Sequence, residues 1–141
     1  MAVTGCPRNC AEALCKDLGV VAVDGGRWEI YVGGAAGAHI RKGDLLATVD
    51  DPQAVITLAG RFMQYYRESA NWLERTYKWV PRVGIEHLRA VLVDDADGLA
   101  ADLDERMQKS VDAYRDPWQD GRKPASVGQF RTSLPLLPLP M

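Results

Sequence analysis

No stretch of this chain stays apolar over 18 residues, so the sequence offers no membrane-spanning helix. A secretory leader is not expected either, because a cysteine motif begins six residues in. Charge of one sign is nowhere concentrated: 17 Lys and Arg stand against 19 Asp and Glu, a net −2. Without a basic or acidic block, neither nucleic acid nor an anionic membrane is expected as a partner. Cysteine is scarce. Three of them, an odd number without disulfide-framework spacing, suit a reducing cytoplasm. The glycine-rich residues 33–37 lack both the Walker lysine and the Rossmann spacing. They read either as a tight loop between strands or as a place where backbone approaches a ligand. The acidic residues 94–97 lack the chelating pattern of a calcium loop and suit the first turn of a helix. His39 and His87 have no partner ligand nearby in sequence and read as surface or loop residues. No residue presents itself as a general acid, base or nucleophile.

What the chain does have is one dense stretch, Thr4-Gly5-Cys6-Pro7-Arg8-Asn9-Cys10-Ala11-Glu12-Ala13. Proline is tolerated at the first position of a helix and pushes the residue before it out of helical angles. The spacing therefore predicts a helix over residues 7–17, with Cys6 as N-cap, Pro7 at N1 and Gly19 as the stop. Cys10 then shares a face with Cys6. The positive end of the helix dipole favours thiolates, the form that binds metal. A metal half-site, a buried structural pair and a redox dithiol all remain open on spacing alone. Cys15 falls off the Cys6/Cys10 face and reads as a small buried hydrophobe.

With 47% hydrophobic residues, the 141-residue chain can build a modest core as one domain or part of one. Residues 20–23 and 28–32, joined by Asp24-Gly25-Gly26, predict a β-hairpin. The first run is continuously apolar and should be buried on both faces. In the second, Trp28, Ile30 and Val32 share one face, with Glu29 and Tyr31 on the other. A third strand is expected near residues 38–41 or 45–49. Asp51-Pro52 opens a long helix reaching about Leu73, with Ala70 to Trp79 continuing helical until Pro81 interrupts. Shorter helices are expected over residues 82–92 and about 98–114. The last residues are rich in proline and leucine and read as a disordered Pro-rich tail. The fold class predicted is α+β: an N-terminal cofactor helix, a small and mainly antiparallel sheet, and several covering helices.

Thr4-Gly5-Cys6-Pro7-Arg8-Asn9-Cys10-Ala11-Glu12 resembles the second cysteine motif of the sirohaem-dependent nitrite and sulfite reductases. Its form is that of the large subunit of NAD(P)H-dependent assimilatory nitrite reductases. Tyr31-Val32-Gly33-Gly34, and Leu73-Glu74-Arg75-Thr76 with Arg82-Val83-Gly84-Ile85-Glu86, resemble later segments of the same family. The resemblance covers roughly residues 2–118. It implies that residues 1–118 are the C-terminal portion of a sirohaem and iron–sulfur reductase domain, with 119–141 a flexible tail. Cys6 and Cys10 would be two of four ligands to a 4Fe–4S cluster, and Cys10 would also bridge to the sirohaem iron. Arg8 and Asn9 would lie near the macrocycle. Gly33 and Gly34, with Ala35, Ala36 and Ala38, would let it approach the backbone. Arg41 and Lys42 are candidate cations for its carboxylates, or simply an exposed pair at a strand end.

The family's other cysteine pair lies upstream of this motif, and only five residues precede Cys6. The substrate-binding basic residues and the FAD and NAD(P)H portion also belong to earlier segments. The resemblance therefore implies a cytoplasmic nitrite reductase fragment, inactive alone. Its partners would be the rest of the large subunit and the small subunit. In the whole enzyme, electrons would pass from NAD(P)H through flavin and cluster to sirohaem and reduce nitrite to ammonium. Two other readings stand beside it: a non-catalytic structural module with idle cysteines, and a small dimeric metal-binding protein using Cys6 and Cys10 from two chains.

Overall fold

The computed structural model describes residues 1–116. Its centre is a four-stranded sheet built from β1 (Ala2–Thr4), β2 (Leu18–Val23), β3 (Arg27–Val32) and β6 (Asp44–Val49), in that order across the sheet. Two short strands, β4 (Ala35–Ala36) and β5 (Ile40–Arg41), form a separate hairpin between β3 and β6. β1 runs parallel to β2, and the other pairings are antiparallel. The predicted hairpin forms with Val23 opposite Arg27. Gly25 and Gly26 adopt φ of 79° and 73° in its turn, angles that cost other residues strain. Both candidate positions for a further strand are occupied, one by β5 and one by β6.

Four helices follow: α1 (Pro52–Ser69), α2 (Thr76–Val83), α3 (Ile85–Leu92) and α4 (Ala100–Ala113). Asp51 caps α1 as its sequence predicts, its carboxylate accepting from the Gln53 N–H at 3.0 Å, with Pro52 first in the helix. Val20, Ile30, Val32 and Leu46 meet Phe62, Trp79, Val80 and Leu88 in one core. Trp79 is its hub, with edge-on contacts to Phe62, Tyr65 and Tyr66. α4 docks on α1, where Met107 lies against Gly60 and Arg61 makes a two-pronged bond to Asp104 at 2.8 and 2.6 Å. The α+β class and mainly antiparallel sheet are as predicted; of residues 20–23, expected to be buried on both faces, Val20 and Val21 are buried and Ala22 and Val23 only partly so.

Three local expectations differ. No α-helix forms over residues 7–17. β1 leads instead into consecutive turns and a single 3₁₀ turn, Ala13–Cys15. Asn9 and Glu12 take φ of 56° and 54°, left-handed angles that no α-helix accepts. Asn9 reaches that region cheaply because its side chain bonds locally, here accepting from the Leu14 N–H at 3.3 Å. α1 stops at Ser69, and residues 70–75 form a loop carrying Leu73 out into solvent. Pro81 lies inside α2, which ends at Gly84 (φ 94°), whose N–H bonds Val80 at 2.8 Å. One missing N–H near the end of a short helix is tolerated here. The Pro-rich stretch at the C-terminus lies outside the described residues. Among the described residues, no helix is long and apolar enough to cross a membrane.

Candidate metal centre

β1 carries the chain out of the sheet at Thr4, which is buried, and the cysteine motif begins two residues later. A tight turn closes with the Asn9 N–H on the Cys6 carbonyl at 3.2 Å, and the next with the Glu12 N–H on the Asn9 carbonyl at 2.9 Å. Cys6 opens the first turn and Cys10 lies in the second, and both thiols are free and exposed. Arg8 between them is exposed, whereas Asn9 is turned inward as the brace of the motif. Among the described residues, no three His, Cys, Asp or Glu side chains gather as a metal site. A 4Fe–4S cluster takes four thiolates. Cys6 and Cys10 fit such a group as half of its donor set.

The stretch after the turn is fastened to the glycine loop. Gly33 N–H bonds the Asp17 carbonyl at 2.9 Å, Gly34 N–H bonds Lys16 at 3.0 Å, and Gly43 N–H bonds Leu14 at 2.8 Å. A Cβ on Gly34 would stand 2.7 Å from the carbonyl oxygens of Leu14 and Lys16. One at Gly33, where φ is 73°, would lie 2.8 Å from Val80. Both glycines are thus explained by close packing within the chain. Arg41 donates to the Gly33 carbonyl at 2.7 Å and to Asp44 at 2.5 Å, so its guanidinium is committed to holding this loop. Lys42 lies 5.6 Å from the centre of the Tyr31 ring. Burial and a hydrogen bond to Glu29 push the Tyr31 phenol up to about 12.

Between the two fastened segments lies a pocket of about 360 Å³. Cys15, Lys16 and Asp17 form one side, residues 34–38 form another, and His39, Arg75 and Tyr77 complete it. Its wall of glycine and alanine admits a flat group close to backbone. Lys16 pairs with Glu12 at 3.3 Å, and the His39 ring leans on Tyr77 with centroids 5.5 Å apart. Arg75 grips Asp17 at 3.1 and 2.8 Å. Burial raises the Asp17 carboxyl, but the Thr76 hydroxyl and Arg75 together bring it below its ordinary value. Cys15 is half-buried, not fully buried, and its thiol donates to the Glu12 carbonyl at 3.2 Å. No local sequence signal joins Asp17 to Arg75 or Tyr77, because the fold brings them together from about 60 residues apart.

The chain belongs to the nitrite and sulphite reductase 4Fe-4S domain family, whose sequence model matches residues 1–98. Among its relatives is a Bacillus subtilis nitrite reductase designated NAD(P)H, 52% identical over 120 residues. That match takes in 85% of this chain and 14% of the relative. The large subunit of an Escherichia coli NADH nitrite reductase is 40% identical, over 84% of this chain and 14% of its own length. An assimilatory-type sulfite reductase of Nitratidesulfovibrio vulgaris is 35% identical over 64% of this chain and 41% of the relative. The chain thus spans 11% to 14% of the nitrite reductases it matches.

Proposed function

We propose that this chain is the portion of an NAD(P)H-dependent nitrite reductase large subunit that supplies Cys6 and Cys10 to a 4Fe–4S cluster. The observation that carries this reading is the pair of free, exposed thiols on two consecutive turns, inside the segment matched by the family. Two further thiolates would come from elsewhere in the reductase polypeptide. When bound, the cluster supplies one-electron transfer, and a sirohaem beside it supplies the iron at which nitrite is reduced to ammonium. Both thiols would bind as thiolates, the form that ligates iron. Asn9, between the two thiols, ties the motif to the segment that follows it by accepting from the Leu14 N–H. Cys10 would be the thiolate shared with sirohaem, and the exposed Arg8 would meet a carboxylate of the macrocycle.

The small-residue wall of the pocket, Gly34 with Ala35, Ala36 and Ala38, would form one side of the sirohaem site, with Gly33 next to it in the chain. Lys16, His39 and Arg75 bring positive charge and hydrogen-bond donors to its rim. FAD, NAD(P)H and the small subunit would be met by the remainder of the enzyme, in the cytoplasm. No residue of this chain is assigned as a catalytic acid, base or nucleophile.

The test compares the isolated chain with a complete reductase that carries it. Anaerobic reconstitution of the complete protein with iron and sulfide should give iron–sulfur absorbance that Cys6→Ser and Cys10→Ser each remove. The isolated chain, given iron, sulfide and sirohaem, should show no nitrite turnover with reduced viologen. Turnover by the isolated chain would overturn the fragment reading. Metal-dependent dimerisation through the same two thiols would replace it with a four-thiolate site shared between two copies.

A further inference from the structure

The loop between α1 and α2 presents the most exposed large side chains of the described helical layer. Trp72 is 91% exposed and Leu73 82%. Loop tips are ordinarily polar, so two large apolar groups side by side in solvent need a reason. Leu73 also sits at φ 59°, a left-handed angle that costs a branched side chain strain.

The backbone beneath the tip is tightly held. Glu74 N–H bonds the Asn71 carbonyl at 3.0 Å, and the Glu74 carboxylate accepts from the Asn71 N–H at 2.9 Å. Arg82 grips that carboxylate at 2.7 and 2.6 Å, and the Tyr66 hydroxyl donates to the Glu74 carbonyl. A strained conformation persists only where its surroundings over-determine it. Here they hold an apolar knob outward.

The apolar surface continues from the knob. A groove of about 470 Å³ runs beside it, lined by Tyr66, Ala70, Trp72 and Leu73. A second groove, of about 300 Å³, is lined by Met1, Leu18, Phe62 and Met63. The two share Tyr66 and Arg75 as walls, so one surface runs from Trp72 to Met1 at the foot of β1. Among the described residues β1 is an outer strand paired only with β2, and Val3 on it is 50% exposed. Its free edge offers unpaired backbone groups to another strand. An aromatic anchor, an apolar centre and a rim of Arg67 and the Asp17–Arg75 pair have the anatomy of an interface.

We infer that the Trp72–Leu73 knob and the open β1 edge form the face on which the rest of the reductase polypeptide docks, with a strand beside β1 and an apolar pocket around Trp72. The length of the relatives argues for that occupant: this chain spans 14% of the Bacillus subtilis and Escherichia coli proteins. A second copy is the weaker fit, because β1 is three residues long and pairs few backbone groups with itself. Neither thiol is involved, so the inference stands apart from the cluster reading.

Carbene footprinting with mass-spectrometric readout tests it on two proteins. One is this chain alone. The other is the Bacillus subtilis relative with its matching segment replaced by this chain. Labelling of Trp72 and Leu73 should fall about tenfold in the full-length protein, as expected of a desolvated anchor. Trp72→Ser should leave the melting temperature of the isolated chain unchanged and, in the full-length protein, make this segment unfold separately. Protection that persists in Cys6→Ser/Cys10→Ser keeps docking distinct from cluster loading; protection lost with the thiols overturns the inference. Equal labelling in the two proteins overturns it as well. Protection already present in the isolated chain also overturns it. The occupant is then a second copy if the chain sediments as a dimer, or residues 117–141 if truncation after 116 exposes the knob.

Discussion

Single residues decide how the cysteine turn is joined to the rest of the molecule. Gly34 is enclosed by two backbone oxygens at 2.7 Å, and Gly19 has the Ala13 carbonyl oxygen where its Cβ would go, at 2.0 Å. Backbone oxygens cannot swing aside as a side chain does, so a methyl group at either place forces the 13–16 segment off the sheet. Gly34→Ala should destabilise the chain by about 3 kcal/mol, the upper range for overpacking, and Gly19→Ala by at least as much. Urea unfolding of the purified variants measures both. Glu74 gives a different kind of test. The Arg82 guanidinium and the Asn71 N–H hold its carboxyl down to about 2, against an ordinary 4.5. A carboxylate depressed in the folded state stabilises above its unfolded value, and that stability is lost as pH falls through the folded value. The gap in melting temperature between the parent and Glu74→Gln should therefore be constant above pH 4.5, shrink from 4.5 towards about 2, and vanish below. A gap that widens on acidification would mean the Arg82–Glu74 pair does not hold the loop.

At the scale of elements, α4 is attached chiefly through α1. Leu103 is buried there, and Arg61 makes its bidentate bond to Asp104 while also donating to the Leu92 carbonyl at 3.4 Å. Asp104→Ala leaves a half-buried guanidinium without its anion, and should cost about 1 kcal/mol. Amide hydrogen exchange should rise throughout α4 while β2 and β3 keep their protection; a uniform rise would instead mark α4 as part of the global unfolding unit. The elements differ in how far sequence reveals them. Alternation of Trp28, Ile30 and Val32 identifies β3, and Asp51-Pro52 marks the start of α1, because both signals are local. The break after Ser69 has no such signal, since Ala70 to Trp79 contains neither glycine nor proline. It is imposed by distant partners: Arg75 and Thr76 bond Asp17, and Glu74 bonds Arg82. The same holds for residues 7–17. Their propensity is helical, but Asn9 spends its side chain on Leu14 and the chain turns twice instead. That turn, not helical periodicity, places Cys6, Cys10 and Cys15, so reasoning from 3.6 residues per turn misjudged Cys15. Of the pocket beside it, only the glycine and alanine wall was legible, because the far wall comes from α2.

Taken whole, the molecule keeps its core and its cysteines apart. The core is built from residues 18 to 103, and neither Cys6 nor Cys10 enters it. Small metal domains often fold only when loaded, because metal binding is their folding energy. This chain has a sheet covered by helices around Trp79, a core that neither thiol enters. Cys6→Ser/Cys10→Ser should therefore unfold within about 0.5 kcal/mol of the parent, as surface substitutions do. A metal chelator should leave the melting temperature of the isolated chain unchanged. Urea titrations followed by tryptophan fluorescence, with and without chelator, check both statements. A chain that is unfolded without iron, or that loses its cooperative transition with the two thiols, would show that the cysteine turn organises the fold. Cooperative unfolding of the metal-free chain would show that the two thiols sit on a domain that folds without them, available to the proposed cluster but not needed to organise the core.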